Sequence, residues 1–189
     1  MLNIKEISDK RPYLIVLLIE SLERREHMLY TDEEFQEIYN RNISMIYKIS
    51  MMFLKNPDDA EDAVQSVFIK LLKLKTEFES LEHEKAWLIV ATQNHCKNIV
   101  THWWKKKRTD LEKMSEPVYL DDNLKVFIWD EILKLPDKYK IVVYLYYYEG
   151  YQTEEIGEIL GINSSTIRTQ LSTARKLLKP VFKEVNYVY

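Results

Sequence analysis

Three residues with metal-binding side chains, His95, Cys96 and His102, fall within one short stretch. The two histidines stand seven positions apart, a poor bite for a metal, and no second ligand pair accompanies them. They read as structural. Asp121-Asp122 and Glu154-Glu155 are candidates for acid–base work only in the trivial sense that they are carboxylates. The sequence has no glycine-rich phosphate loop and no nucleophile–base signature. The expectation is no catalytic residue, no metal and no cofactor, so the chemistry to look for is binding.

Two stretches carry side chains suited to nucleic acid. The first is TEEIGEILGINSSTIRTQLSTARKLLK, Thr153 to Lys179. A short helix, a glycine turn and a second helix is the helix-turn-helix plan. Thr153 is expected to cap the first helix and Gly161 to end it. Asn163 then caps a last helix over roughly Ser164 to Lys179, with Pro180 as its stop. In that helix Ile167, Leu171, Ala174 and Leu178 share the core side. Ser164, Ser165, Thr166, Arg168, Thr169, Ser172, Arg175 and Lys176 are left for the opposite surface. Small hydroxyls at the N-terminal end let a recognition helix enter the major groove and touch base edges. Arginines and lysines further along neutralise phosphates. From Gly161 to Lys183 there are five basic residues and no acid. An ordinary helical hairpin with a solvated basic face is the plainer alternative; capping, turn and charge asymmetry together argue against it.

The second stretch ends in WWKKKR. Asn94, Asn98 and His102 recur every four positions and form one polar line on a helix. Gln93, Lys97, Thr101 and Lys105 form a second line beside it. From Gln93 to Arg108 the basic residues are Lys97, Lys105, Lys106, Lys107 and Arg108, with no acid among them. Trp103 and Trp104 border that run. Aromatic rings beside lysines suit single-stranded nucleic acid, since bases stack on rings while cations follow the backbone. Tryptophans are also common core residues, so packing inside the domain stands as an equal reading of this segment.

The elements that position these stretches follow from apolar periodicity. Phe35, Ile38, Tyr39, Ile43, Ile46, Ile49 and Phe53 predict an amphipathic first helix. Asn56-Pro57-Asp58-Asp59 restarts the chain: Asn56 caps, Pro57 suits the first helical position, and the aspartates meet the positive end of the helix dipole. Ala60, Ala63, Val64, Val67, Phe68, Leu71 and Leu72 then make a buried stripe. Asp58, Asp59, Glu61, Asp62, Gln65 and Ser66 stay on or near the outside. By itself this acidic start is a well-capped, solvated helix end. A third helix is expected from about Glu84 to Lys106, with Trp87, Leu88, Ala91 and Ile99 on its apolar side. Thr109 to Asp122 loses helical period and has five acids against one lysine, the composition of a flexible linker. Leu124, Phe127, Ile128, Ile132 and Leu133 restart a helix at Asn123, and Leu135-Pro136-Asp137 opens another over Asp137 to Glu149.

The bulk numbers agree. Of 189 residues 46% are hydrophobic and 30% charged, while Gly 3 and Pro 5 leave little turn punctuation. Such a chain is mostly helix. The net charge of −3 hides the segregation of basic and acidic stretches. Cys96 is the sole cysteine, which excludes an intrachain disulfide and suits a reducing cytoplasm. The apolar run Tyr13 to Ile19 is far short of the roughly 20 residues that span a bilayer. SLERRE follows it where a signal peptide would place small residues, so no membrane insertion is expected. Two readings stand for Met1 to His27: a short extra helix, or untranslated sequence upstream of a start at Met28. In the second, Arg24-Arg25 would be encoded by a ribosome-binding purine run.

The order of these motifs resembles an extracytoplasmic-function sigma factor of the sigma-70 family. DAEDAVQSVF, AWLIVATQNHCKNIVTHWWKKKR, a linker, and LPDKYKIVVYLYYYEGYQTEEIGEILGINSSTIRTQLSTARKLL carry the resemblance, roughly Phe35 to Phe182. It implies an all-α chain of two small helical domains joined by a flexible acidic linker, the C-terminal domain a helix-turn-helix. The expected divisions are 1–27 as an extension, 28–108 as region 2, 109–122 as linker and 123–189 as region 4. The resemblance implies that the first domain binds core RNA polymerase through Asp58, Asp59, Glu61, Asp62, Gln65 and Phe68. It implies that Asn94, Lys97, Asn98, Trp103, Trp104 and Lys105 to Arg108 lie by the opened minus-ten promoter DNA. The second domain would read the minus-thirty-five duplex. The acidic linker, by its charge, suits a positively charged polymerase channel.

Two departures qualify it. Gln170 and Thr173 stand where family members often carry basic residues, so DNA affinity is expected to depend on polymerase. Met1 to His27 has no counterpart. Members are commonly held by an anti-sigma factor, which is therefore an expected partner. A stand-alone helix-turn-helix regulator competes with this reading and would not need the aromatic–basic helix. A metal protein or enzyme built on His95, Cys96 and His102 competes from another class.

Overall fold

A computed structural model describes residues 29–106 and 123–185, with side chains described at 29–103 and 129–180. The linker expected over 109–122 and the extension 1–27 lie outside the described residues. The chain divides into two compact units, Met1–Val118 and Tyr119–Tyr189. The described residues form seven helices and no strand.

The first unit contains α1 (Asp32–Leu54), α2 (Pro57–Leu72) and α3 (Leu81–Lys106). Thr31 caps α1 reciprocally: the Glu34 N–H donates to Thr31 Oγ1 at 3.2 Å and the Thr31 N–H donates to the Glu34 carboxylate at 2.8 Å. Helix α1 ends at Lys55, a non-glycine residue with φ 57° whose N–H donates to the Met51 carbonyl. Asn56 then caps α2, its side-chain oxygen accepting from Asp58 and Asp59 N–H at 2.8 and 3.2 Å. Every member of the expected α2 stripe is buried. Phe68 meets Phe35 edge-on at 5.9 Å and Tyr39 at 4.7 Å, tying α2 to α1. Such aromatic pairs contribute about 0.5–1.5 kcal/mol beyond area burial.

Helix α3 begins three residues earlier than expected. Ser80 Oγ accepts from the His83 N–H at 3.1 Å, and Leu81 is exposed, so an apolar pattern does not register that first turn. The buried side of α3 also holds polar groups. Glu84 is buried and accepts from Asn42 Nδ2 at 2.7 Å and from Arg41 Nη2 at 3.0 Å. Asn42 donates as well to the Ile38 carbonyl at 2.9 Å. A buried carboxylate is tolerable only with partners of this kind. Thr92 is buried with its hydroxyl donated to the Leu88 carbonyl. Gln93, expected in one polar line with Lys97, is buried, as are Ile89 and Cys96. Burial pushes the Cys96 thiol up to about 11, against the lowering effect of Ser50 beside it.

The second unit contains α4 (Asn123–Lys134), α5 (Asp137–Tyr147), α6 (Thr153–Leu160) and α7 (Ser164–Val185). Trp129, Tyr144 and Tyr148 form a mutual aromatic cluster with centroids 5.7–6.0 Å apart. The buried Lys140 pairs with Asp137 at 3.0 Å. The Tyr144 hydroxyl donates to Glu149; burial first, and then that carboxylate, raise its pKa. Helix α5 closes at Tyr147, two residues before the expected end, and Gly150 takes φ 79° in the turn that follows.

Candidate nucleic-acid interface

Helices α6 and α7 and the turn between them make the most defined surface of the second unit. The N-terminal cap of α6 is Gln152, not Thr153 as expected: the Gln152 N–H donates to the Glu155 carboxylate at 2.7 Å. Thr153 is the first helical residue, and its hydroxyl donates to Glu154 at 2.8 Å. The helix ends where expected, at Gly161 with φ 65°, and the Ile162 N–H returns to the Gly157 carbonyl at 2.9 Å. Gly157 explains how tight this turn is. A Cβ there would lie 2.6 Å from the Ile162 carbonyl oxygen, so only glycine lets α6 and the turn approach so closely.

Asn163 caps α7 as expected, accepting from the Ser165 N–H at 2.9 Å and the Ser165 hydroxyl at 2.7 Å. Ile167, Leu171 and Ala174 are buried and Leu178 is half-buried. Ser165, Thr166, Arg168, Thr169, Ser172, Arg175 and Lys176 are exposed, and Ser164 is half-buried. The expected stop at Pro180 is corrected: α7 continues through it to Val185. Proline removes only one backbone donor, the one that would bond the Lys176 carbonyl, and Lys176 and Pro180 are both exposed.

Side chains on the exposed face are already organised. Arg168 Nη1 pairs with Glu154 Oε1 at 2.7 Å across the two helices. Arg175 Nε donates to the Tyr147 hydroxyl at 2.8 Å, with its guanidinium 5.7 Å from the Tyr146 ring and 5.8 Å from the Tyr147 ring. Thr169 returns its hydroxyl proton to the Ser165 carbonyl and Thr173 to the Thr169 carbonyl, both at 2.9 Å. These hydroxyls remain acceptors toward a ligand. Neither Tyr147 nor Gly157 stands out in the sequence, and Glu154 stands out there only as one of a carboxylate pair, with no link to Arg168. For Glu154 the available signal is its place beside a glutamate at a helix start; its partner is 14 positions away.

In the first unit Asn94, Lys97, Asn98, Thr101 and His102 are exposed along α3, and Trp103 is half-buried. Trp104, Lys105 and Lys106 continue the helix backbone, while Lys107 and Arg108 lie outside the described residues. His95 is half-buried, and its pKa is lowered by burial and then by Lys70. On α2, Asp58 and Asp62 are exposed, and Asp59, Glu61 and Gln65 are half-buried. Burial, and then Asp62 and Asp58, raise the Asp59 carboxyl. Phe68 does not join them. It is fully buried against Phe35 and Tyr39, so its expected place on a polymerase-facing surface is corrected to the core beneath that surface.

Two family models match this chain: sigma-70 region 2 over residues 38–109 and sigma-70 region 4 over residues 128–178. RNA polymerase sigma factor SigV of Bacillus subtilis is 30% identical over 139 residues, covering 70% of this chain and 81% of the relative. ECF RNA polymerase sigma factor SigW of the same organism is 27% identical, covering 81% and 91%. The chain is an extracytoplasmic-function RNA polymerase sigma factor of the sigma-70 family. Solved structures share the fold. RpoE of Bartonella quintana, solved with the anti-sigma factor NepR, aligns with TM-score 0.63 and 21% identity over 80% of this chain and 98% of that one. CnrH, solved with the cytosolic domain of CnrY, aligns with TM-score 0.59 and 15% identity over 91% and 96%. Within this sigma factor, most of α1 and all of α2 and α3 fall in the region 2 match, and most of α4–α7 in the region 4 match. No helix among the described residues is long and apolar enough to cross a membrane.

Proposed function

We propose that this sigma factor reads a promoter in two parts while bound to core RNA polymerase, with no chemistry of its own. The observation that carries the reading is the face of α7. Arg168, Thr169, Ser172, Arg175 and Lys176 are exposed together, opposite the buried Ile167, Leu171 and Ala174. A helix so divided, held by a glycine turn behind a short helix, fits the major groove of a minus-thirty-five duplex. In the first unit, Asn94, Lys97, Asn98 and Trp103, continuing to Trp104 and Lys105 to Arg108, are the candidates for holding the opened minus-ten strand. Asp58, Asp59, Glu61, Asp62 and Gln65 on α2 are the candidates for contact with core polymerase, from the position of this acidic surface. The domain division proposed is 28–108, 109–122 and 123–189. Both solved neighbours are complexes with a second protein, and NepR is named an anti-sigma factor, which supports an anti-sigma partner for this chain. A cytoplasmic place of action follows from the same reading. A stand-alone helix-turn-helix regulator is disfavoured, because the region 2 match covers the first unit as well.

Run-off transcription tests the proposal, using purified core polymerase and upstream DNA from the protein's own operon. The expected result is a specific transcript absent with core alone. No transcript above core, together with no binding to core, would overturn it. Arg168→Ala should cost about 1–3 kcal/mol of promoter discrimination if Arg168 makes a bidentate base contact. An equal loss on every sequence would mark a phosphate contact instead.

A further inference from the structure

Glu154 presents a puzzle. It is an acid on a surface proposed to meet a polyanion, and both it and Arg168 are exposed, at 62% and 56% of their side chains. Exposed ion pairs contribute little to stability, so the fold has small use for this one. A lone carboxylate facing phosphates weakens binding. The carboxylate is nevertheless fixed at both oxygens: Thr153 donates to Oε2 at 2.8 Å and Arg168 Nη1 donates to Oε1 at 2.7 Å. The hydrogen bond from Thr153 leads the interactions that lower the Glu154 pKa, so the group is ionised.

We propose that Glu154 is a positioning residue for base readout, holding one end of the Arg168 guanidinium so that its other edge addresses a guanine. The inference rests on the two-part promoter reading above. A guanidinium is planar and carries five N–H donors. The ion pair occupies Nη1, and the Nε–Nη2 edge remains as a fork. That fork matches the O6 and N7 acceptors of guanine in the major groove. A free arginine side chain samples many rotamers and loses that freedom on binding; one already held by Glu154 loses less. The carboxylate also screens the Arg168 charge, biasing that side chain away from phosphate and toward base edges. Thr153 and Glu154 on α6 thus aim Arg168 on α7 without touching a base themselves.

The test selects duplexes from a pool of random sequence with holoenzyme, made from the full chain and core polymerase. Wild type is compared with E154A, E154Q and R168A. Wild type should enrich guanine strongly at one position, and R168A should lose that preference by about tenfold. E154A should weaken the same position several-fold and leave the others unchanged, while E154Q, which keeps an acceptor oxygen, recovers part of it. All variants should melt as wild type does. An unchanged guanine preference in E154A overturns the proposal, as does uniform tightening at every position, which marks a merely repulsive carboxylate. A wild-type preference that R168A leaves intact overturns it too. Failure of wild type to form holoenzyme instead overturns the polymerase-bound, two-part promoter reading on which it rests.

Discussion

Arg175 is held by Tyr147 from 28 positions away, its Nε donating to the tyrosine hydroxyl at 2.8 Å. Tyr147 is the last residue of α5 and 55% exposed, so this pairing reaches across the unit to one of the few cations on the recognition helix. Both partners lie open to solvent, and the bond contributes little to stability. Its effect falls on where the positive charge points.

Tyr147→Phe should therefore alter DNA binding more than folding. The ring contact remains and the hydroxyl acceptor is lost, releasing Arg175 toward phosphate. The expected change is a steeper dependence of holoenzyme–DNA affinity on salt, by up to about one phosphate contact, similar for all sequences. Titrations at a series of salt concentrations measure that slope. An unchanged slope would place Arg175 on phosphate already in the wild type.

Gly157→Ala should destabilise the second unit. Alanine has the better helix propensity by about 1 kcal/mol. Its Cβ would sit 2.6 Å from the Ile162 backbone oxygen, which belongs to the turn itself and cannot rotate away. Overpacking of this kind costs about 1–3 kcal/mol, so the clash outweighs the propensity. A drop of several degrees in thermal melting, with loss of promoter binding, is the expected result.

The region 2 and region 4 folds were legible because their helices bury regular stripes. The seven apolar positions of α2 and the buried positions Ile167, Leu171 and Ala174 of α7 are all where periodicity predicts them. Phe68 belonged to that same α2 stripe; the family resemblance moved it to the surface, and packing returned it to the core. The misses share a cause. Glu84, Thr92 and Gln93 are polar groups on the buried side of α3, and Glu84 is accommodated by Arg41 and Asn42, which stand 43 and 42 positions earlier. An apolar pattern sees neither the burial nor the remote partner. Gly157 was invisible for a related reason: a close backbone approach leaves no mark on side-chain spacing. At Pro180 a rule about helix interiors gave way because only one donor is lost, on an exposed face.

Cys96 makes stability sensitive to alkaline pH. Burial raises its thiol from the ordinary 9.0 to about 11. Below pH 9 the thiol is neutral in both folded and unfolded chains, and its contribution is fully present. Between 9 and 11 the unfolded chain releases the proton while the folded chain retains it, so stability falls as pH rises. The loss attributable to this group is on the order of 2–3 kcal/mol by pH 11. Denaturant unfolding of wild type and Cys96→Ala at pH 8 and pH 10.5 isolates it. The alanine variant should lose less stability over that interval than wild type.

Lys55→Gly should stabilise the first unit slightly. Lys55 is exposed and takes φ 57° at the end of α1. A left-handed conformation costs a non-glycine residue about 1–2 kcal/mol, and glycine returns about 0.4–1 kcal/mol of that through its more flexible unfolded chain. A net gain of about 0.5 kcal/mol, read as a small rise in denaturation midpoint, is expected.

Helix α3 is clamped by Glu84 near its start and packed as far as Cys96, its last fully buried side chain among the described residues. The ten residues that follow Cys96, as far as Lys106, extend roughly 15 Å further along the axis. Beyond Cys96 the helix is gripped more lightly, since Ile99, Val100 and Trp103 are only half-buried. The register and direction of the whole rod are therefore set near its start, where Asn42 and Arg41 hold Glu84. Asn98 and His102 inherit their placement from that remote polar contact, as the far end of a lever does from its fulcrum.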